Sequence, residues 1–214
     1  LGGIAIAIGV MVDAAIVTSA EHKAQLGYAP AHIIPCGVDL ALFAPQAQAE
    51  ARRALGWPLE RKAILWLGDP RPEKRLDLVQ ASHALVQARR SDVDLRVVSR
   101  VPHAQVPLYM NAADVFVLAS DYEGSPVVIK EAMACGLPIV STPVGDVPQV
   151  IGGVAGCYLA QPTAEDLADK LELALDFGQR TAGREAIQSL QTAGEAARII
   201  ALYEQVLARG GRRP

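Results

Sequence analysis

Two glutamates, Glu123 and Glu131, stand with seven residues between them, at the end of the run Ala119-Ser120-Asp121-Tyr122-Glu123-Gly124-Ser125-Pro126 and in the segment that follows it. If that segment is a helix, Glu131 sits about one and a half turns from its start while Glu123 remains in the loop. One carboxylate then faces a polar ligand such as a sugar, and the other lies deeper. An acid among small residues such as Ala132 and Ala134 is costly to bury unless paired, and the vicinal hydroxyls of a ribose would supply two donors. Taken alone, Glu131 reads more simply as an exposed helix glutamate in an i,i+4 ion pair.

A second loop, Gly68-Asp69-Pro70-Arg71-Pro72-Glu73-Lys74-Arg75, carries three basic side chains. Arg71, Lys74 and Arg75 together could neutralise a diphosphate leaving group. Lys74 and Arg75 are expected in the first turn of a helix, where the dipole mildly disfavours a cation, and that local cost favours a ligand over a purely solvated role.

These loops need elements to hold them. Short apolar runs, Ala63–Leu67, Leu95–Val98, Val115–Leu118 and Pro138–Ser141, alternate with longer stretches of helical period at Glu73–Arg90, Thr163–Phe177 and Gly194–Ala208. Such alternation predicts a parallel sheet, and runs apolar at nearly every position predict helices on both faces, a doubly wound α/β architecture. Ligands then bind beyond the carboxyl ends of the strands, which selects the loops opening at Gly68 and Ala119. In the second loop Ser125 is expected to cap a helix, Pro126 to occupy its first position and Gly136 to end it in the left-handed conformation. The amides around Gly124 and Ser125 then invite a phosphate or a sugar hydroxyl.

Composition narrows the classes of function. The 214 residues are 51% hydrophobic with a formal net charge of -3, and the basic residues are scattered, so nucleic acid is not an expected partner. Cys36, Cys135 and Cys157 form no close pair and read as reduced, mostly buried cysteines of a cytoplasmic protein. Asp92-Val93-Asp94 has a metal-like spacing but is expected at a strand's amino end, and His22, His32, His83 and His103 form no helical ligand pair, so no metal is expected. The apolar opening Leu1–Val12 is too short to span a bilayer and is expected to be a buried strand or helix. Lacking an initiating methionine and starting inside an apolar run, the chain is expected to be a piece of a longer protein.

Taken together, EGSPVVIKEAMACGLPIVSTPVGD, IIPCGVDLALFAP and ILWLGDPRPEKRLDL resemble the retaining glycosyltransferases called glycosyl transferases group 1, which have the two-domain GT-B fold. The likeness spans nearly the whole chain. It implies a Rossmann-like, carboxyl-terminal, nucleotide-sugar-binding half over 36–192, with a remnant of the acceptor-binding domain in 1–35. It also implies a hinge near Ile34–Asp39 and a helix in 193–214 that crosses back to the first domain with its apolar face partly uncovered. By the same resemblance Glu131 holds the ribose and Glu123 contacts and orients the transferred sugar. The backbone of Gly124, Ser125, Pro126 and Val127 approaches sugar and phosphate, and Lys74 beside Gly68 grips the diphosphate. The family's arginine after the loop glycine is Asp69 here, leaving Arg71 or Arg75 as substitutes and Asp69 expected to turn away or pair with an arginine. The short path from Leu95–Val98 to Val106–Met110 implies a sheet one unit smaller than usual.

The implied reaction moves a sugar from a nucleoside diphosphate, with no other cofactor and with retention, to a glycan or lipid-linked acceptor. A full-length enzyme would touch the membrane peripherally. The competing readings are a non-catalytic nucleotide-sugar-binding module, and a nucleotide-sugar epimerase, which would need histidines around the sugar.

Overall fold

The computed structural model describes residues 6–7, 15–27 and 30–210. Apart from Ile6 and Ala7, the expected element at 1–12 lies outside the described residues. The chain begins in a small sheet in which β1 (Ile6–Ala7) pairs antiparallel with β2 (Ala15–Val17), and β2 pairs parallel with β3 (Ala31–Ile33) after the helix α1 (Ala20–Leu26). An irregular crossing segment leads to α2 (Gln48–Leu55).

A larger sheet follows, built from β4 (Lys62–Leu67), α3 (Leu76–Arg89), β5 (Val93–Val98), α4 (Val106–Ala112), β6 (Val115–Leu118), α5 (Val127–Ala134), β7 (Ile139–Ser141), α6 (Val147–Ile151) and β8 (Cys157–Leu159). Its five strands are all parallel, in the order β5-β4-β6-β7-β8. The chain steps outward from β4 to β5 and then returns past β4 to β6, so the direction of winding reverses between β4 and β6. That reversal splays the two following loops apart and opens a crevice beyond the carboxyl ends of these strands.

The strands are apolar on both sides because both sides are covered. Ile64 and Trp66 of β4, with Val115 and Val117 of β6, pack in one cluster with Val79 and Val86 of α3 and with Leu167 and Leu171 of the later helix α7 (Ala164–Phe177). Leu65, Phe116 and Leu118 project to the other face, against Met110 of α4 and Ile129 and Met133 of α5. Alternate side chains of one strand therefore feed two cores. Each such fully buried side chain contributes about 1.5–3 kcal/mol. This is the doubly wound α/β fold expected from the sequence.

Several boundaries differ. β8 is a fifth strand that the sequence pattern misses, because Cys157-Tyr158-Leu159 is three residues long and has no β-branched side chain. At the basic loop, Pro72–Lys74 form a single 3-10 turn and Arg75 takes φ +48°, its N–H donating to the Pro72 carbonyl at 3.1 Å. This turn resets the chain direction, so α3 starts at Leu76. Lys74 and Arg75 are thus not in a first α-helical turn, and the dipole argument made for them from the sequence does not apply. Val97 on the outer strand β5 is 45% exposed, the sheet being open at that edge.

After the short helix α8 (Gly183–Ala186), the described residues end in α9 (Thr192–Gly210), which returns to the small sheet. Its Leu202 is buried against Ile16 and Ile34, and the Arg198 guanidinium donates to the Ile33 carbonyl at 3.1 Å. Ile200 and Leu207 of the same helix stay exposed. Of the cysteines, Cys135 is buried and Cys36 and Cys157 are half-buried, all three as free thiols.

Candidate active site

Beyond the carboxyl ends of β4 and β6 lies a cleft of about 300 Å³, lined by Gly68, Asp69, Arg71, Lys74, Glu123, Pro126 and Val127 above a floor that includes Trp66 and Leu118. It lies between the two loops selected from the sequence. The Lys74 ammonium donates to Glu123 Oε1 at 2.5 Å, and the Ser120 hydroxyl donates to the same oxygen at 2.9 Å. Both partners are largely buried, with 21% and 15% of their side chains exposed. A backbone bond from the Asp121 N–H to the Glu73 carbonyl, 2.9 Å, ties the loops together next to this pair.

The other two basic residues fare differently. The Arg71 side chain is 62% exposed, pairs with Glu73 at 3.1 Å and lines the cleft. Arg75 is held by Asp77 at 3.2 Å and Asp121 at 3.0 Å and does not line the cleft. The left-handed backbone at Arg75 aims its side chain along the start of α3, which the expectation of a continuous helix could not foresee. Asp69 is exposed at the cleft wall and has no ion-pair partner among the described residues.

The start of α5 also departs from expectation. Pro126 is the residue before the helix and Val127 its first residue, and no side chain caps it. The Ser125 hydroxyl is used elsewhere: it donates to Asp146 Oδ2 at 2.6 Å and accepts from the Cys36 N–H at 2.9 Å and from the Lys130 ammonium at 2.6 Å. Val127 and Val128 of the first turn of α5 line the cleft, and an uncapped helix start offers positive potential to an anion. Gly136 does end the helix region, at φ +66°, its N–H donating to the Met133 carbonyl at 2.8 Å.

Glu131 lies one turn beyond Val127 on the same side of α5. It is not the exposed helix glutamate of the simpler reading: only 7% of its side chain is exposed, and its Oε1 accepts a hydrogen bond from His103 Nε2 at 2.7 Å. Burial pushes its carboxyl above the ordinary value, and the His103 hydrogen bond pulls in the opposite direction. His103 comes from the turn after β5, is 64% exposed, and packs its ring against Phe43 at 5.2 Å.

A second histidine also reaches the site. His22 of α1 bonds Thr18 through Nδ1 at 3.0 Å and lies so close to Gly124 that a Cβ there would come within 2.3 Å of its ring. The sequence offered no signal for either histidine at the site, since His22 meets Gly124 and His103 meets Glu131 only through the tertiary fold. Gly145, after β7, packs on the other side of the same turn. At φ +56°, its missing Cβ would stand 2.4 Å from the Gly124 carbonyl oxygen and 2.8 Å from that of Glu123.

The Asp92-Val93-Asp94 run lies at the amino end of β5, opposite the cleft edge of the sheet, with Asp92 paired to Arg90 and Asp94 to Arg61 and Arg96. Among the described residues no group of three or more His, Cys, Asp or Glu is gathered for a metal, and no helix is long and apolar enough to cross a membrane.

Similarity to known proteins covers this whole region. A D-inositol 3-phosphate glycosyltransferase of Actinosynnema mirum is 32% identical over 186 residues, 70% of this chain and 45% of the relative. A sucrose-phosphate synthase of Thermosynechococcus elongatus superposes with a TM-score of 0.79 at 27% identity, over 93% of this chain and 59% of the synthase. The Anabaena protein Alr3699/HepE, solved in complex with UDP, has the same fold with a TM-score of 0.72 at 20% identity, over 89% of this chain and 63% of its own. The chain spans about half the length of the curated relatives it matches. A family model for glycosyl transferases group 1 matches residues 64–176, more than half of the chain and all of the elements from β4 to α7 that surround the cleft, so the chain belongs to the glycosyl transferases group 1 family.

Proposed function

We propose that this chain is the donor-binding part of a retaining glycosyltransferase that moves a sugar from a nucleoside diphosphate to a glycan or lipid-linked acceptor. The observation that carries the reading is the meeting of Lys74 and Glu123 at 2.5 Å on the wall of the cleft between β4 and β6, beside the uncapped start of α5. The diphosphate lies against Lys74, the first-turn amides of α5 and the swinging guanidinium of Arg71, which together stabilise the charge that develops as the bond from the sugar to phosphate breaks. Glu123, oriented by Ser120, turns from Lys74 to the sugar hydroxyls and orients the ring as it gains positive charge. Glu131 exchanges its His103 donor for the two ribose hydroxyls. The missing side chain of Gly124 makes room for the His22 ring. Arg75, fixed by two aspartates, has no part in donor binding. The UDP bound to HepE favours a nucleoside diphosphate as the ligand. Residues 1–35 and 193–214 belong with the acceptor-binding domain, to which the packing of Leu202 on Ile16 lends support.

One observation favours a second reading. Asp69, exposed at the cleft wall with no ion pair among the described residues, opposes a diphosphate and suits a nucleotide-sugar-binding module without transferase activity. Turnover of donor by a two-domain protein carrying this chain decides against that reading.

The test of donor binding is a thermal-shift panel with UDP, GDP and ADP. A preferred nucleotide at 100 times its Kd adds about 2.7 kcal/mol of stability, a rise of roughly 5–11 °C at this size. Lys74→Ala abolishes that rise relative to its own ligand-free baseline. An equal rise in parent and variant, or no rise with any of the three, refutes the phosphate assignment.

A further inference from the structure

Lys130 of α5 is a lysine with no exposed surface. Its ammonium donates to Asp146 Oδ2 at 2.8 Å and to the Ser125 hydroxyl at 2.6 Å, and Ser125 in turn donates to the same Asp146 oxygen at 2.6 Å. The Ser125 hydroxyl also accepts the Cys36 N–H at 2.9 Å, so its one hydrogen and both lone pairs are used. Three separate segments therefore converge on one oxygen: the crossing segment at Cys36, the Glu123–Ser125 turn that faces the cleft, and the loop after β7. That last loop presses Gly145 on the carbonyls of Glu123 and Gly124.

Energy alone does not account for this arrangement. An ion pair taken wholly out of water often contributes less than well-packed apolar groups of the same volume. Here the pair is also imperfect, because Asp146 Oδ1 is buried without a partner among the described residues. What the network does supply is direction. A hydroxyl bound on every side has one orientation, and it fixes the turn against the crossing segment.

We propose that Lys130 and Asp146 are positioning residues for the glycosyl transfer, which lock the Glu123–Ser125 turn to the crossing segment through the Ser125 hydroxyl. The proposal rests on the reading of that turn as the sugar-facing loop. It implies that the shape of the donor site and the position of the segment joining the two sheets are set by a single buried contact. A movement of the crossing segment at Cys36 is then felt at Gly124 without passing through the core of the larger sheet.

The experiment compares the parent with Lys130→Met and with the double variant Lys130→Met/Asp146→Leu, which replaces the ion pair by apolar side chains. Three readouts are taken: Tm, amide hydrogen exchange at Cys36 and across 123–126, and affinity for UDP, GDP and ADP. Lys130→Met alone strands a buried carboxylate and lowers Tm. The double variant recovers Tm, but its Cys36 and Gly124 amides exchange about tenfold faster than in the parent and its diphosphate affinity falls about tenfold, as expected for the loss of one charge-assisted hydrogen bond. A double variant with parental Tm, exchange and affinity overturns the positioning role and leaves the network as one way among others to fill the core. If the double variant does not fold, Asp146→Asn, which keeps the size and one acceptor, carries the same comparison. If the parent binds none of the three nucleotides, the donor-site reading fails, and exchange at Cys36 and Gly124 alone decides whether the lock exists.

Discussion

Replacing Gly145 by alanine separates two costs that a glycine in a tight loop can conceal. The residue has φ +56°, and a Cβ added there would lie 2.4 Å from the Gly124 carbonyl oxygen and 2.8 Å from that of Glu123. The left-handed backbone alone costs about 1–2 kcal/mol for alanine. Ordinary contact begins at 3.4 Å, so the Glu123–Gly124 turn must also retreat by about 1 Å, and neither obstacle is the free end of a side chain. Overpacking of that kind adds roughly 1–3 kcal/mol. Gly153 supplies the control, because it has φ +79° and nothing within 4 Å of the position of its Cβ.

Gly153→Ala should therefore lower Tm by roughly 2–8 °C and Gly145→Ala by roughly 4–20 °C, at about 2–4 °C per kcal/mol for a chain of this size. Calorimetry of the two variants side by side checks the difference. Nucleotide binding adds a second, independent reading. A misplacement of about 1 Å in a positioning loop costs on the order of a hundredfold in transfer, so Gly145→Ala loses donor turnover in a two-domain protein while Gly153→Ala keeps it. Equal drops in Tm, or a Gly145→Ala protein with the parent's nucleotide affinity and turnover, would refute the claim that the loop after β7 buttresses the Glu123–Gly124 turn in donor binding.

Two further outcomes follow from buried charges. Because burial raises the Glu131 carboxyl above its ordinary 4.5, the folded protein carries a penalty that is absent below about pH 4.5, where the group is protonated folded or unfolded, and grows as pH rises through the folded value. Glu131→Gln should accordingly raise Tm at pH 7 and weaken nucleotide binding, with the two Tm curves converging at acid pH; a variant less stable than the parent at pH 7 contradicts the assignment of desolvation as the dominant effect. Asp114 accepts from Arg52 at 2.5 Å and from the Ala63 N–H at 2.6 Å, with 5% of the Arg52 side chain exposed. Asp114→Ala leaves that guanidinium buried with backbone carbonyls but without its counter-ion and should cost about 3–5 kcal/mol in urea unfolding, whereas a loss under 1 kcal/mol would place the pair among weak surface contacts.

Most of the fold was legible in the sequence because it follows from burial on two faces. Ile64, Leu65 and Trp66 could be read as a strand covered on both sides without knowing which helix covered which, and the loops at Gly68 and Ala119 followed from the rule that parallel strands present their carboxyl ends together. The missed strand, Cys157-Tyr158-Leu159, shows the limit of that reasoning: it is a strand because Ile139–Ser141 lies beside it, with nothing in its own residues to say so. Ser125 shows the same limit for a side chain. As a local residue before a helix it is a natural cap, yet Asp146 and Cys36, 21 and 89 residues away, together with Lys130, offer its hydroxyl more than the helix start does.

What the sequence determined by itself was therefore four strands of the larger sheet, its longer helices, the two loops that flank the cleft, and Lys74, Glu123 and Glu131 as candidates for its chemistry. These depend on residue type and on spacing within one element, where chain connectivity fixes the geometry. Tertiary structure alone decided which cations face the cleft, that Arg75 is spent on Asp77 and Asp121, that His103 holds Glu131, that His22 covers Gly124, and that Lys130 is buried with Asp146. Apart from Arg75 with its neighbour Asp77, each of those pairings joins different elements of the chain, and the free energy of a charge depends on what surrounds it in space, a quantity that no local pattern of residues contains.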